Sequence, residues 1–366
     1  MKLTCQRQDL AGAVTIVERA VATKDTTEPL TGIHLSTDGH RLRLAATDLE
    51  LAITCSIGAD VLAPGETVLE ARYFSQIVRR LPGDDVTLEL LDDGQARLHS
   101  GRVDYTVRTE RGDKFPEVHA VEGAGLRVPE NVLRTMIRQT VFAAATDDTR
   151  PMLMGVLLEA EGNEVRMVAT DSNRLALRQA HLGEPVEEER RAIIPARALQ
   201  ELLRILSDGE DPVAITLGDN RVAFEVRGVR LASRLVEGTF PNYRHVIPDQ
   251  HDGSLRLPRG MFIDALERAS LLAKRAPAVA TLHAQDGLLT LQAREADVGQ
   301  VREELDVQQE GAPSLQNAYQ VRLLLDALKA MDGDEVIMDI NEGDRQATMR
   351  MVSNSDFLYI VMPVRL

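Results

Sequence analysis

The chain carries nearly the same pattern three times, and that internal period limits what it can fold into more than any other feature. Ala46, Ala169 and Ala293 stand in matching contexts, 123 and 124 residues apart. Arg72, Arg197 and Arg322 open matching helical segments at intervals of 125 and 125, and Phe115-Pro116 and Phe240-Pro241 recur 125 apart. A chain of 366 residues also exceeds the ~250 residues at which a single core stops growing. The period therefore predicts three similar domains, at 1–122, 123–250 and 251–366.

Each copy opens with an amphipathic helix, over Asp9–Ala20, Pro129–Ala144 and Pro258–Lys274. In the second, Leu133, Met136, Ile137, Thr140 and Val141 fall at i, i+3, i+4, i+7 and i+8, one stripe of a 3.6-residue period. Strands follow, at 42–48 with 49–57, at 165–171 with 175–179, and at 289–295, alternating as sheets with one buried face do. A second helix occupies Arg72–Leu81, Arg197–Leu206 and Arg322–Met331. Each runs into an acidic glycine turn (Pro82-Gly83-Asp84, Asp208-Gly209-Glu210, Asp332-Gly333-Asp334), where a left-handed glycine would close the helix. The fold class is α+β, two helices per domain packed on antiparallel sheets.

Charge is unevenly spread. The whole chain carries −15, yet the helical stretches 9–20, 71–81, 129–144, 196–206, 259–275 and 321–330 carry a net +7, which leaves −22 on the remainder. Arg72, Arg79, Arg80, Arg134, Arg138, Arg197, Arg204, Arg268, Lys274, Arg275, Arg322 and Lys329 supply the helical cations. Taken singly, each reads as the solvated face of an amphipathic helix. Segregated onto helices of an acidic protein, they read together as a footprint for phosphate. Base-reading motifs are lacking and aromatic residues make up only 3%, so contact with duplex DNA would be independent of sequence.

Several classes of function are disfavoured. There is no phosphate-binding loop, dinucleotide fingerprint, His-Glu-x-x-His or nucleophile elbow, and the eight histidines are scattered. Thr47-Asp48 and Thr170-Asp171, with Glu50 nearby, could hold Mg²⁺ for phosphoryl transfer, but their recurrence at one repeat position reads as a turn between strands. No catalytic, metal or cofactor site is expected. Cys5 and Cys55 lack the spacing of a metal or redox pair and read as small buried hydrophobes. Neither a signal-peptide pattern nor an apolar run near ~18 residues is present, which predicts a cytoplasmic protein.

Three segments resemble the β sliding clamp family, the β subunits of bacterial DNA polymerase III: Val168-Ala169-Thr170-Asp171-Ser172-Asn173-Arg174-Leu175-Ala176, Gly238-Thr239-Phe240-Pro241-Asn242-Tyr243-Arg244, and Tyr359-Ile360-Val361-Met362-Pro363-Val364-Arg365-Leu366. The similarity spans the whole chain. It implies a head-to-tail homodimer closed as a ring of six similar domains, with helices lining the hole around double-stranded DNA. Such a processivity factor catalyses nothing and tethers the replicative DNA polymerase, clamp loader, repair polymerases and other proteins through one peptide pocket per subunit. The resemblance places in that pocket Arg150, Leu153, Thr170, Arg174, Leu175, Pro241, Val246, Leu323, Val361, Met362, Pro363, Val364 and Arg365, of which Leu175, Val246 and Met362 read equally as ordinary core.

The same resemblance adds Lys24 and Arg150 as DNA contacts and sets Tyr105 against Leu271 and Leu272 at the dimer contact, although the two leucines could equally be core. Ser172, Asn173, His245 and Leu323 depart from the family's usual residues, which bears on partner preference, and Pro151-Met152 stands where some relatives carry tyrosines. Competing readings are a specialised second clamp copy for repair or drug tolerance, a metal-dependent phosphoryl-transfer enzyme using Asp48, Glu50 and Asp171, and a monomeric peptide-binding scaffold.

Overall fold

The computed structural model describes residues 1–23, 28–272, 277–341, 343 and 345–365. The first helix of each copy is α1 (Arg7–Val17), α3 (Glu130–Thr140) or α5 (Arg259–Ser270), and the second is α2 (Ala71–Arg80), α4 (Ala196–Ile205) or α6 (Val321–Ala330). All five stripe residues of the second copy are buried, and α2 buries Ala71, Phe74, Ser75 and Val78 at the same helical spacing. α1 and α3 stop short of their expected ends and finish as 3₁₀ turns, Glu18–Ala20 and Val141–Ala143. At the end of α3 the backbone of Thr140 leaves the helical range, at φ −122°, while its hydroxyl donates back to the Met136 carbonyl at 2.7 Å.

The acidic glycine turns have a different use from the one expected. Only Gly333 lies in the left-handed region, at φ 86°, while α2 ends because Leu81 is already extended. What the three turns share is a clasp on the first helix of their own copy. Arg7 N donates to Asp84 O (2.7 Å), Glu130 N to Asp211 O (2.9 Å) and Arg259 N to Asp334 O (2.8 Å). The glycine carbonyl takes a second donor: Arg7 Nε at Gly83 (2.9 Å), Asn131 N at Gly209 (2.9 Å) and Arg259 Nε at Gly333 (2.6 Å). Helix N-termini leave N–H groups without intrahelical partners, and the turns satisfy them.

Among the described residues all strand pairs are antiparallel, and the strands form four sheets in two compact units. The first unit, Met1–Asn131 with Glu201–Leu235, holds a five-stranded sheet (order 60–63, 2–6, 85–90, 95–100, 103–108) and a nine-stranded sheet. Within the latter, first-copy strand 51–58 pairs with middle-copy strand 229–234, Ile53 opposite Leu231. The second unit, Val132–Gln200 with Val236–Leu366, holds a seven-stranded sheet and a four-stranded sheet (order 299–306, 288–295, 279–285, 314–320). There the middle-copy strand 174–195 pairs with 357–361, Leu175 opposite Ile360. The compact units therefore cut through the middle copy that the sequence period treats as whole.

Leu, Val, Ile and Ala fill most of the core around a few fully buried rings, among them Phe74, Phe224, Phe262, Tyr319 and Tyr359. Cys5 and Cys55 are free and buried, and burial, with Asp9 and Asp85 nearby, pushes the Cys5 thiol up to about 12. No described helix is long and apolar enough to cross a membrane.

Candidate functional site

The turn at 170–174 organises the site. Thr170 Oγ1 donates to Arg174 O (2.6 Å) and accepts from Ser172 N (3.2 Å), while Asp171 Oδ1 accepts from Asn173 N (2.9 Å) and Arg174 N (3.1 Å). Ser172 sits at φ 81°, a conformation that costs a residue with a side chain and persists because these bonds enforce it. The turn aims Arg174 inward, where only 8% of it is exposed. Its guanidinium donates to Asp171 Oδ2 (2.9 Å), Asp326 Oδ2 (2.6 Å) and Phe142 O (2.7 Å), and lies 5.5 Å from the centre of the Phe142 ring. Burial works against this charge, but the Asp326 hydrogen bond and the anionic neighbours outweigh it and hold the group above its ordinary range. A buried arginine with this many acceptors is fixed in place.

Beside it lies a mainly apolar cleft of about 260 Å³. Of the residues expected there, Arg150, Leu153, Thr170, Arg174, Leu175, Pro241, Val246 and Met362 line it. Leu153 and Leu175 belong also to the core cluster beneath, with Leu157, Val168, Phe240 and Ile360. Val246 and Met362 are 45% and 39% exposed, which overturns their reading as core and leaves apolar surface open at the cleft. The Met362 N–H donates to Asn173 O at 2.9 Å, joining the last strand to the turn.

Five expected residues do not line this cleft. Val361 points the other way, fully buried, because successive strand residues face opposite sides. Leu323 lies on the buried face of α6, and its carbonyl accepts the Tyr359 hydroxyl at 2.8 Å. Pro363 is half-buried, while Val364 and Arg365 line a separate polar cleft of about 470 Å³ with Thr281, Gln316 and Asn317. Leu366 lies outside the described residues. Ser172, Asn242, Tyr243 and Ile360 line the apolar cleft without having been assigned to it. Parity along the last strand, which puts Ile360 and Met362 on one face, was the signal available for Ile360.

The helical cations are heavily paired. Arg79 meets Glu18, Arg204 meets Glu201 (3.2 Å), Arg268 meets Glu303 (2.9 Å), Lys329 meets Glu267 (2.6 Å) and Arg322 approaches Asp326 (3.9 Å). Arg138 is turned onto the end of α6, donating to Ala330 O (2.7 Å) and Asp332 Oδ2 (2.6 Å). Arg72 stacks against Tyr73, Arg80, Arg150 and Arg197 are exposed, and Arg134 is half-buried. Lys24, Lys274 and Arg275 lie outside the described residues. Exposed pairs of this kind are worth only about 0–1 kcal/mol, so an incoming phosphate can compete for the cation.

Tyr105, 39% exposed, stands on 103–108, the last strand of the five-stranded sheet, and strand 299–306 ends the four-stranded sheet. Leu271 is 79% exposed, which rules out its reading as core, and Leu272 is half-buried.

Models of the N-terminal, central and C-terminal domains of the DNA polymerase III beta subunit match residues 1–119, 127–242 and 244–365. The chain belongs to the β sliding clamp family. The beta sliding clamp of Staphylococcus aureus is 32% identical over 375 residues, covering 100% of this chain and 99% of the relative. That of Synechocystis is 34% identical over 392 residues, with 100% of both covered. The solved DNA polymerase sliding clamp from Bacillus subtilis superposes with a TM-score of 0.96 at 31% identity, covering 100% of this chain and 99% of that one. The DNA polymerase III subunit beta from Pseudomonas aeruginosa gives 0.93 at 30%, with 100% of both covered.

Membership carries the role of a DNA sliding clamp, built from three tandem clamp domains. In this clamp the carboxylates considered for metal chemistry have other partners. Asp48 and Asp171 each accept two backbone N–H groups of their turns, and Glu50 lies 3.6 Å from Arg234. Among the described residues no cluster of His, Cys, Asp and Glu could hold a metal ion.

Proposed function

We propose that two copies of this chain close head to tail into a ring around duplex DNA, hold it without reading its sequence, and tether partner proteins through the cleft beside Arg174. The observation that carries the tethering is the cleft itself: an apolar trough with Val246 and Met362 exposed, over a rigid hydrogen-bonded turn. A groove of that chemistry suits a short hydrophobic segment, and an adaptable methionine lets several partners use it in turn. The replicative polymerase, the clamp loader and repair polymerases are the partners proposed. The protein works in the cytoplasm and catalyses no reaction.

Ring closure draws on the two outer strands, 103–108 of one copy and 299–306 of the other, with Tyr105 of one meeting Leu271 and Leu272 of the other. A solvent-exposed sheet edge and an exposed leucine both favour a covering partner. Domain limits at 1–122, 123–250 and 251–366 follow the repeat period. The helical cations, together with Lys24 and Arg150, face the duplex in this reading, except that Arg138 also braces α6. Contacts to phosphate alone hold DNA loosely enough to slide.

The deciding experiment loads the protein onto nicked circular DNA with its clamp loader and ATP, then cuts the circle. Release on linearisation is the expected result. Retention on the linear product, or no ATP-dependent loading beside a working control clamp, would refute encirclement.

A further inference from the structure

We infer that Glu159, a carboxylate buried behind the cleft, is a positioning residue that sets the wall against which a partner segment docks, by holding the Tyr243–Val246 turn in place. The inference rests on the reading of the cleft as a docking groove. Glu159 is 3% exposed on strand 155–170, where it stands opposite Arg191 in the strand pairing. Its Oε2 accepts the Tyr243 hydroxyl at 2.6 Å and Arg244 Nη2 at 3.2 Å, and its Oε1 lies 3.1 Å from Arg191 Nη2. Arg244 also lies 4.9 Å from the centre of the Tyr243 ring.

This arrangement has a mechanical purpose. Pro241, Asn242, Tyr243 and Val246 all line the cleft, yet they come from a connection between strands 229–234 and 253–258 that belongs to no sheet. Loops lacking ladder bonds open easily. Within the turn the described backbone bond is a long one, Ile247 N to Arg244 O at 3.4 Å, and Gln346 Nε2 reaches the Val246 carbonyl at 3.0 Å. The strong restraint is the buried carboxylate, which gathers a phenol and two guanidinium groups. Burial and Glu159 push the Tyr243 hydroxyl up to about 12, so it stays a donor at any physiological pH. A carboxylate is costly to bury, and here three donors compensate it, two of them cationic.

Tyr243 thereby has two faces of use. Its ring belongs to the core cluster and lines the cleft, while its hydroxyl reports to Glu159 on the far side. Loss of the tether would leave the ring in the chain but free the turn to move, and with it four of the residues a docking segment touches.

The test is a double-mutant cycle on binding of the purified replicative polymerase to the intact protein, using Glu159→Gln, Tyr243→Phe and the double variant. Glu159→Gln keeps size and one acceptor, Tyr243→Phe keeps the ring, and melting temperature is recorded for each. Each single change should weaken binding by roughly tenfold, the loss expected for one charge-assisted hydrogen bond, mostly through faster dissociation. The double variant should be no weaker than either single, because both cut one tether. Unchanged affinity, additive losses, or losses that merely follow the melting temperature would each overturn the inference. Met362→Ala is the separating control. If it weakens binding while Glu159→Gln does not, the cleft still docks partners and only the positioning role fails; if it too leaves binding unchanged, the docking reading falls and this inference with it.

Discussion

The same five-residue turn occurs in both compact units, at 47–51 and at 170–174. In both, the threonine hydroxyl donates to the carbonyl four residues on, the aspartate accepts two backbone N–H groups, and the third residue has positive φ, 78° at Leu49 and 81° at Ser172. Both turns also launch a strand that pairs with a later segment, 51–55 with 229–233 and 174–178 with 357–361. Three of the five residues differ, and the difference with the largest structural consequence is at the fifth. Leu51 is a buried hydrophobe, whereas Arg174 reaches Asp326 and the Phe142 carbonyl and lines the cleft. The turn is architecture, and the change at its fifth position separates a plain core residue from one that lines the cleft.

Erasing that difference should have the largest effect. Arg174→Leu, which copies Leu51, takes the close cation away from Asp171 and leaves Asp326 only the more distant Arg322, and it should cost about 3 kcal/mol in denaturant unfolding, with loss of polymerase binding. Full stability and binding in this variant would show that the two turns differ only in name. A smaller contrast comes from the aspartates. Asp48→Ala should cost about 1 kcal/mol through its turn bonds, and Asp171→Ala about 2 kcal/mol because an arginine partner is lost as well; equal costs would mean that Arg174 does not lean on Asp171. The smallest effect should be shared. Leu49→Gly and Ser172→Gly each relieve positive φ and should raise stability by about 0.5 kcal/mol, net of glycine's added freedom when unfolded. Opposite signs at the two sites would break the equivalence of the turns.

Much of this was legible from residues alone. Helical spacing located six helices, the 123- and 124-residue register located a strand pair in each of the first two copies and one strand in the third, and the repeated Thr-Asp pair read as a turn. Two things stayed hidden. Pairing between strand 51–58 and strand 229–234 joins residues about 180 positions apart, and alternation within a strand carries no information about which strand lies beside it. The glycine turns misled because Gly83 and Gly209 serve as carbonyl acceptors for a helix start rather than as left-handed closures. At the site, resemblance brought in Leu323 and Val361, which helix face and strand parity turn inward. Nothing local announced Glu159, since a lone glutamate in a strand shows its partners only once Tyr243, Arg191 and Arg244 are folded around it.

The mismatch between sequence repeats and compact units constrains protein engineering. A fragment spanning 123–250 takes residues 132–200 from one compact unit and 201–235 from the other. Strand 229–234 would lose 51–58 and strand 174–178 would lose 357–361, leaving two raw sheet edges on one short polypeptide. Unpaired edges template association with other chains. Isolated repeats of this protein should therefore be handled as aggregation hazards, and cutting at the compact-unit joints near 131, 200 and 235 gives no relief, because each unit is built from two separate stretches of chain and the first two joints lie inside α3 and α4.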